Sequence, residues 1–89
     1  MNDNNADRGS GHKNTEIIVN GTPYDVRDDT VTREQVIALA YPEPPAPDTR
    51  FTVTFYNAQK PKEGTLAAGR SVEVKKKGTV FNVKATVKS

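Results

Sequence analysis

Residues 17–26 read IIVNGTPYDV, and this stretch decides the architecture. Residues that favour strands stand on both sides of Asn20-Gly21, a pair that tolerates the positive φ angles of a type I′ turn. The pattern therefore predicts a β-hairpin. Pro23 has no amide hydrogen to offer a neighbouring strand, so we expect it at the turn edge or facing outward. The two strands of the hairpin are predicted over 16–20 and 22–27.

The next segment, RDDTVTREQVIALAY, predicts a short helix. Thr32 and Gln35 have the spacing of a capping box, in which each side chain accepts a hydrogen bond from the backbone amide of the other residue. Pro42 disfavours helical geometry in the residue before it, so the helix should end at about Tyr41. Its apolar stripe consists of Val36, Ile37, Leu39 and Ala40.

The proline-rich stretch PEPPAPD, over 42–48, admits two interpretations. It can be a polyproline ligand for a partner domain, or a stiff connector between the helix and the following strand. We favour the connector, because the flanking sequence lacks basic residues at suitable positions.

Three later strands are predicted from the alternation of apolar and polar residues. The clearest, RFTVTFY, covers 50–56, and shorter or less regular ones cover 71–75 and 80–87. We expect NAQKPKEG, over 57–64, to form a polar loop, and the lysine-rich run at 75–78 to form a solvated turn. The apolar faces of the three strands comprise Phe51, Val53 and Phe55; Val72 and Val74; and Phe81, Val83, Ala85 and Val87.

These elements together predict an α+β fold of the β-grasp type. A hairpin, a helix that crosses over, and later strands that pair with the first give a mixed sheet of four to five strands with one helix packed across it. We assign this domain to 15–89. Residues 1–14 are almost entirely polar or glycine, which predicts a disordered N-terminal tail, because such a segment cannot bury enough apolar area to order itself.

Composition excludes several classes of function. The 89 residues contain no cysteine and only one histidine, His12, which lies in the predicted tail. A cysteine nucleophile, a thiolate metal site and a serine–histidine triad are therefore not expected, and neither is an enzyme or a bound cofactor. Asp28, Asp29 and Glu34 are interpreted as charges at the helix start, and not as metal ligands.

Charge and hydropathy indicate a cytoplasmic protein without nucleic-acid or membrane partners. The net charge is only +2, because 13 basic residues nearly balance 11 acidic ones. No apolar run approaches the length that crosses a bilayer, and no apolar leader stands at the N-terminus.

The ordered set of motifs resembles the bacterial multiubiquitin-type domain of ubiquitin-like proteins. The shared features are a Val-Asn-Gly hairpin turn, an acidic connector, a Thr-capped helix that ends in Leu-Ala, and a closing glycine before a phenylalanine. They correspond to Val19, Asn20, Gly21, Asp28, Thr32, Ile37, Leu39, Ala40, Gly78 and Phe81.

The resemblance implies a protein modifier that is activated through its C-terminus. The partners it implies are an adenylating enzyme, a conjugating-type enzyme, a processing peptidase and a target protein; ATP would be used by the adenylating enzyme and not by this chain. The segment that would enter these enzymes is Val87, Lys88 and Ser89. Ubiquitin-like modifiers commonly end in Gly-Gly, whereas this sequence ends in Thr-Val-Lys-Ser.

A second function class stays open, namely a β-grasp interaction or self-assembly module that is never covalently attached. Such a module could associate through an exposed strand edge. In the ubiquitin fold the solvent-facing side of the sheet is a usual docking surface. In this sequence we weigh that interpretation equally with a face that contacts only solvent. The candidate docking face comprises Thr52, Thr54, Tyr56, Glu73 and Lys75.

Overall fold

The computed structural model describes residues 15–43 and 45–87, which form seven strands and one helix. The predicted tail, 1–14, lies outside the described residues, as do Lys88 and Ser89. The strands are β1 (Thr15–Val19), β2 (Thr22–Val26), β3 (Thr30–Thr32), β4 (Thr49–Tyr56), β5 (Gly64–Thr65), β6 (Ser71–Glu73) and β7 (Lys77–Val87), and the helix, α1, spans Arg33–Ala40.

Five strands form one mixed sheet in the order β2-β1-β7-β4-β5, and β3 pairs with β6 in a small separate sheet. The central strand, β7, runs parallel to β1 and antiparallel to β4. One helix crosses this sheet, which confirms the predicted β-grasp fold. The core between them includes Ile17, Val19, Val36, Val53, Phe55, Phe81 and Val83.

The first hairpin has the predicted turn. Asn20 and Gly21 have φ angles of 51° and 83°, which a type I′ turn requires at both central positions. Val19 lies opposite Thr22 across this turn, and Pro23 lies opposite Ile18. Among the described strands β2 has only β1 as a neighbour, so Pro23 stands on an edge strand, as expected.

The helix begins with the predicted capping box and ends where predicted, at Tyr41. The Thr32 amide donates to Gln35 Oε1 at 2.8 Å, and the Gln35 amide donates to Thr32 Oγ1 at 3.1 Å, so both bonds of the capping box are present. The amide of Tyr41, the C-terminal cap, donates to the Ile37 carbonyl at 2.8 Å. Val36 is fully buried, and the rest of the stripe is half-buried.

The strand predicted over 71–75 lies elsewhere than expected. Only Ser71–Glu73 is a strand, and it pairs with β3 outside the main sheet. Val31 of β3 lies opposite Val72, and both side chains are buried. The apolar pattern therefore indicated burial correctly but could not indicate which strand would be the neighbour.

Two segments predicted as connections contribute strands to the main sheet. Gly64, the last residue of the predicted polar loop, forms the edge strand β5 with Thr65. Two exposed residues leave no hydrophobic periodicity to detect. The predicted turn at 75–78 is also wrong in part, because β7 already begins at Lys77. Just before it, the Lys76 carbonyl accepts a hydrogen bond from the Glu16 amide at 2.9 Å, so this run is part of the strand pairing.

Candidate functional site

The candidate docking face divides between two places in the fold. Thr52, Thr54 and Tyr56 lie on the solvent side of β4, and the Tyr56 side chain is 50% exposed. Glu73 belongs to β6 and Lys75 follows it, so neither lies on the outer face of the main sheet. The expectation of one five-residue surface is therefore corrected, because it placed 71–75 in the main sheet.

Tyr56 and Lys75 nevertheless come together at the end of β4, and Asn57 is the residue that joins them. Asn57 has a φ of 61°, which turns the chain sharply after the strand. Its Oδ1 accepts a hydrogen bond from Lys75 Nζ at 3.1 Å, and its Nδ2 donates to the Gly78 carbonyl at 3.0 Å. These two bonds hold the Lys75 ammonium beside the end of β4, where Tyr56 lies.

A buried threonine, Thr79, stabilises the same arrangement of Asn57 and Lys75. Thr79 Oγ1 donates to the Asn57 carbonyl at 2.9 Å and accepts from the Lys75 amide at 3.0 Å. The Thr79 side chain is fully buried, and its two hydrogen bonds are partly buried. Gly78 approaches this corner with a φ of +95°, and a Cβ there would come within 3.2 Å of Asn57 Nδ2.

Two open hollows lie on the described surface, and each has a mixed lining of charges. The first, of about 380 Å³, is bounded by Tyr56, Asn57, Lys62, Glu63 and Lys75. The second, of about 220 Å³, is bounded by Thr15, Arg27, Asp28, Asp29 and Lys76. The two cations and two carboxylates of the second hollow offset one another, whereas the first has two lysines and one glutamate and so a single excess positive charge.

The C-terminal segment begins inside the sheet. Val87 is the last residue of β7 and lies opposite Thr49 of β4. It keeps the predicted alternation with Phe81, Val83 and Ala85, but burial decreases along the strand until the Val87 side chain is 60% exposed. Over the same stretch β7 loses its pairing with β1, which continues only as far as Phe81.

Asn20 has a second function that its sequence context did not reveal. Besides forming the turn, its side chain accepts from the Val83 amide at 2.8 Å and donates to the Val83 carbonyl at 3.1 Å. The side-chain amide thus replaces a strand neighbour for Val83. Asparagine in a hairpin turn is explained by its φ angle alone, so no sequence signal indicated this contact.

A family model agrees with this geometry. The multiubiquitin family model matches residues 15–87, from the first residue of β1 to the last residue of β7. The chain belongs to the multiubiquitin family. No curated protein and no solved structure matches the chain.

Membership of the multiubiquitin family establishes a ubiquitin-like domain, a class of small domain that is typically non-enzymatic. Among the residues the structure describes, no three His, Cys, Asp or Glu side chains are grouped so that they could hold a metal ion. Asp28, Asp29 and Glu34 are all exposed. In the same part of the chain, no helix is long and apolar enough to cross a membrane.

Proposed function

We propose that this multiubiquitin-family domain is a protein modifier of a bacterial ubiquitination-like pathway in the cytoplasm. It would be activated through its C-terminus and transferred to target proteins. Its partners would be an adenylating enzyme, a conjugating-type enzyme and a processing peptidase, and the ATP would be bound by the adenylating enzyme.

The observation that carries this proposal is the state of the end of β7. Val87 is already in extended conformation, lies opposite Thr49 of β4, has no strand neighbour on its other side among the described residues, and exposes most of its side chain. An enzyme that binds an extended tail would therefore have to order few further residues, which lowers the entropic cost of binding. Val87, Lys88 and Ser89 are the residues we assign to this contact.

The proposed chemistry takes place at the terminal carboxylate. The carboxylate attacks the α-phosphorus of ATP, forming an acyl adenylate and releasing pyrophosphate. A cysteine thiolate of the enzyme then attacks the acyl carbon, which forms a thioester and releases AMP. The domain supplies the acyl group and a surface for recognition, and the enzymes supply every catalytic side chain.

The test is ATP–pyrophosphate exchange with an adenylating enzyme of this class encoded in the same genome. We expect exchange and an adduct of increased intact mass for the full chain or for a form trimmed after Val87 or Lys88. The matched control is the same chain with a C-terminal amide, which has no carboxylate to adenylate. If neither the full chain nor any trimmed form supports exchange, the domain is not a modifier activated by that enzyme class.

A further inference from the structure

The central strand of the sheet is longer than one of its two neighbours. The pairing of β1 with β7 ends where Val19 lies opposite Phe81, whereas the pairing of β4 with β7 continues until Thr49 lies opposite Val87. We call residues 84–87 the distal segment of β7. In this segment β4 is the only strand neighbour among the described residues.

The hydrogen bonds of Val83 give the direction in which the unpaired backbone groups point. Its N–H and C=O face the β1 side, where the Asn20 side chain binds both. Backbone groups alternate in direction along a strand, so those of Ala85 and Val87 face the same side as those of Val83. Within 15–43 and 45–87 no backbone or side-chain group pairs with them on that side.

The β2 edge of the main sheet is poorly suited to strand addition. Val19 and Thr22 close a two-residue turn and form a hydrogen-bonded pair, so the alternation turns Pro23 and Asp25 outward. Pro23 has no N–H to donate, and Asp25 places an exposed carboxylate beside that edge. Proline and charge are common means of blocking an exposed strand.

The outer edge of β4 is occupied. The Val53 carbonyl accepts from the Leu66 amide at 2.8 Å, and the Phe51 carbonyl accepts from Arg33 Nη2 at 2.9 Å. The Thr49 amide donates to the Ala46 carbonyl at 3.0 Å. The distal segment of β7 is therefore the open edge on this side of the molecule.

The two faces beside the distal segment differ in chemistry. On the helix side, Val87 and the 38%-exposed Tyr41 leave apolar surface uncovered, and the Tyr41 ring packs on Phe51 with their centroids 5.4 Å apart. On the opposite side, Arg50 and Lys84 are both exposed. Neither β4 nor the distal segment contains an acidic residue to neutralise these two cations.

We propose that the distal segment of β7 binds an extended segment of a partner protein, which adds to the sheet as a further strand. Its backbone would pair with Ala85 and Val87. Because successive side chains of a strand point to opposite faces, the bound segment would alternate apolar residues, which contact Tyr41 and Val87, with acidic residues, which face Arg50 and Lys84.

Charge favours such a partner over a second copy of this chain. Two copies that paired antiparallel through this edge would share one continuous sheet, with both solvent faces on the same side. Arg50 and Lys84 of both copies would then stand on one surface, and like charges close together disfavour pairing. An acidic segment would instead place opposite charges beside Arg50 and Lys84, which favours pairing.

The probe we would use is a short blocked peptide in which glutamate and valine alternate, titrated into the full ¹⁵N-labelled chain. Amide exchange at Ala85 and Val87 should slow at least about tenfold at saturation, because their N–H groups become hydrogen-bonded. The matched peptide with lysine in place of glutamate should bind about three to ten times more weakly, as expected for exposed ion pairs.

Two variants isolate the contact. Ala85→Pro removes the outward N–H and leaves the bonds to β4 in place, so binding should be lost while Ala85→Ser binds normally. Should Ala85→Pro fail to fold, the double variant Arg50→Glu, Lys84→Glu keeps every backbone group. That variant should reverse the preference and bind the lysine peptide more tightly than the glutamate peptide.

Several results would overturn the proposal. Equal affinity for the two peptides would remove its charge argument, and shifts confined to β2 or α1 would place the site elsewhere. Slow exchange at Ala85 and Val87 in the free protein would identify another occupant. If that protection rises with protein concentration, the occupant is a second copy; if it does not, the occupant is part of the chain itself.

Discussion

Residues 77–83 form the proximal part of β7, which differs from the distal segment in its environment more than in its side chains. Val83 and Val87 share one face of the strand, yet Val83 is 5% exposed and Val87 is 60% exposed. Around Phe81 the strand has β1 on one side and β4 on the other, whereas the distal segment has β4 alone within the described part of the chain. Burial along this strand therefore depends on the position in the sheet, and not on the type of side chain.

The largest effect should come from the proximal part. Phe81→Ala removes a ring that is fully buried and packs on Phe55, with their centroids 6.0 Å apart. We expect the free energy of unfolding to fall by about 3–5 kcal/mol, the usual cost of the cavity and the lost apolar burial. Urea denaturation followed by circular dichroism measures this, and a loss below about 1 kcal/mol would show that the proximal part is not the centre of the core.

A smaller loss is expected from the polar group buried at the start of β7. Thr79→Val keeps the shape of the side chain but leaves the Lys75 amide and the Asn57 carbonyl without their partner. Buried groups left unpaired in this way cost about 1–3 kcal/mol. Thr79→Ser is the control, because it keeps the hydroxyl, and it should be more stable than Thr79→Val in the same urea titration. The reverse order would mean that the two hydrogen bonds contribute nothing.

The boundary between the two parts can be moved by changing one turn residue. Asn20→Gly retains the positive φ that the turn needs but removes both side-chain bonds to Val83. We expect a loss of about 1 kcal/mol, since the bonds are partly exposed. Amide exchange at Val83 should accelerate towards that of Ala85, whereas exchange at Phe81 should change little. Unaltered exchange at Val83 would contradict the assigned role of the Asn20 side chain.

The smallest effect should come from the distal segment. Val87→Ala shortens a side chain that is mostly in water, so the free energy of unfolding should change by less than about 0.5 kcal/mol. Val83→Ala, the matched change on the same face, should cost several times more. Equal losses at the two valines would remove the distinction between the two parts of the strand.

Local signals predicted the elements that local contacts stabilise. The hairpin turn at Asn20-Gly21 and the capping box of Thr32 and Gln35 both depend on neighbours within a few residues, so their sequence patterns were sufficient. The overall β-grasp order followed from these elements together with the alternating pattern of β4. The pairing of β6 did not, because it depends on Val31 and Val72 meeting across a large separation in the chain.

The candidate surfaces were predictable only in part, for the same reason. Thr52, Thr54 and Tyr56 follow from the alternation of β4, but Glu73 and Lys75 were assigned to the sheet through a strand that pairs elsewhere. The open edge at Ala85 and Val87 depends on the offset between β1 and β7. That offset includes a shift of the pairing register between Glu16 and Ile17, which no residue pattern predicts.

The parallel pairing of β1 with β7 also constrains how the domain folds. Asn20 and Val83 are 63 positions apart in the chain, and the strands that hold them are direct neighbours in the sheet. The chain must lose the entropy of closing this long loop before the central strand gains its first partner, and folds of such high contact order are slow. During synthesis, β1 and β2 emerge early and wait for β7 with one side unpaired. This open side belongs to β1, whereas Pro23 and Asp25 block only the outer side of β2, so unfinished chains could pair with one another through β1 until β7 has been made.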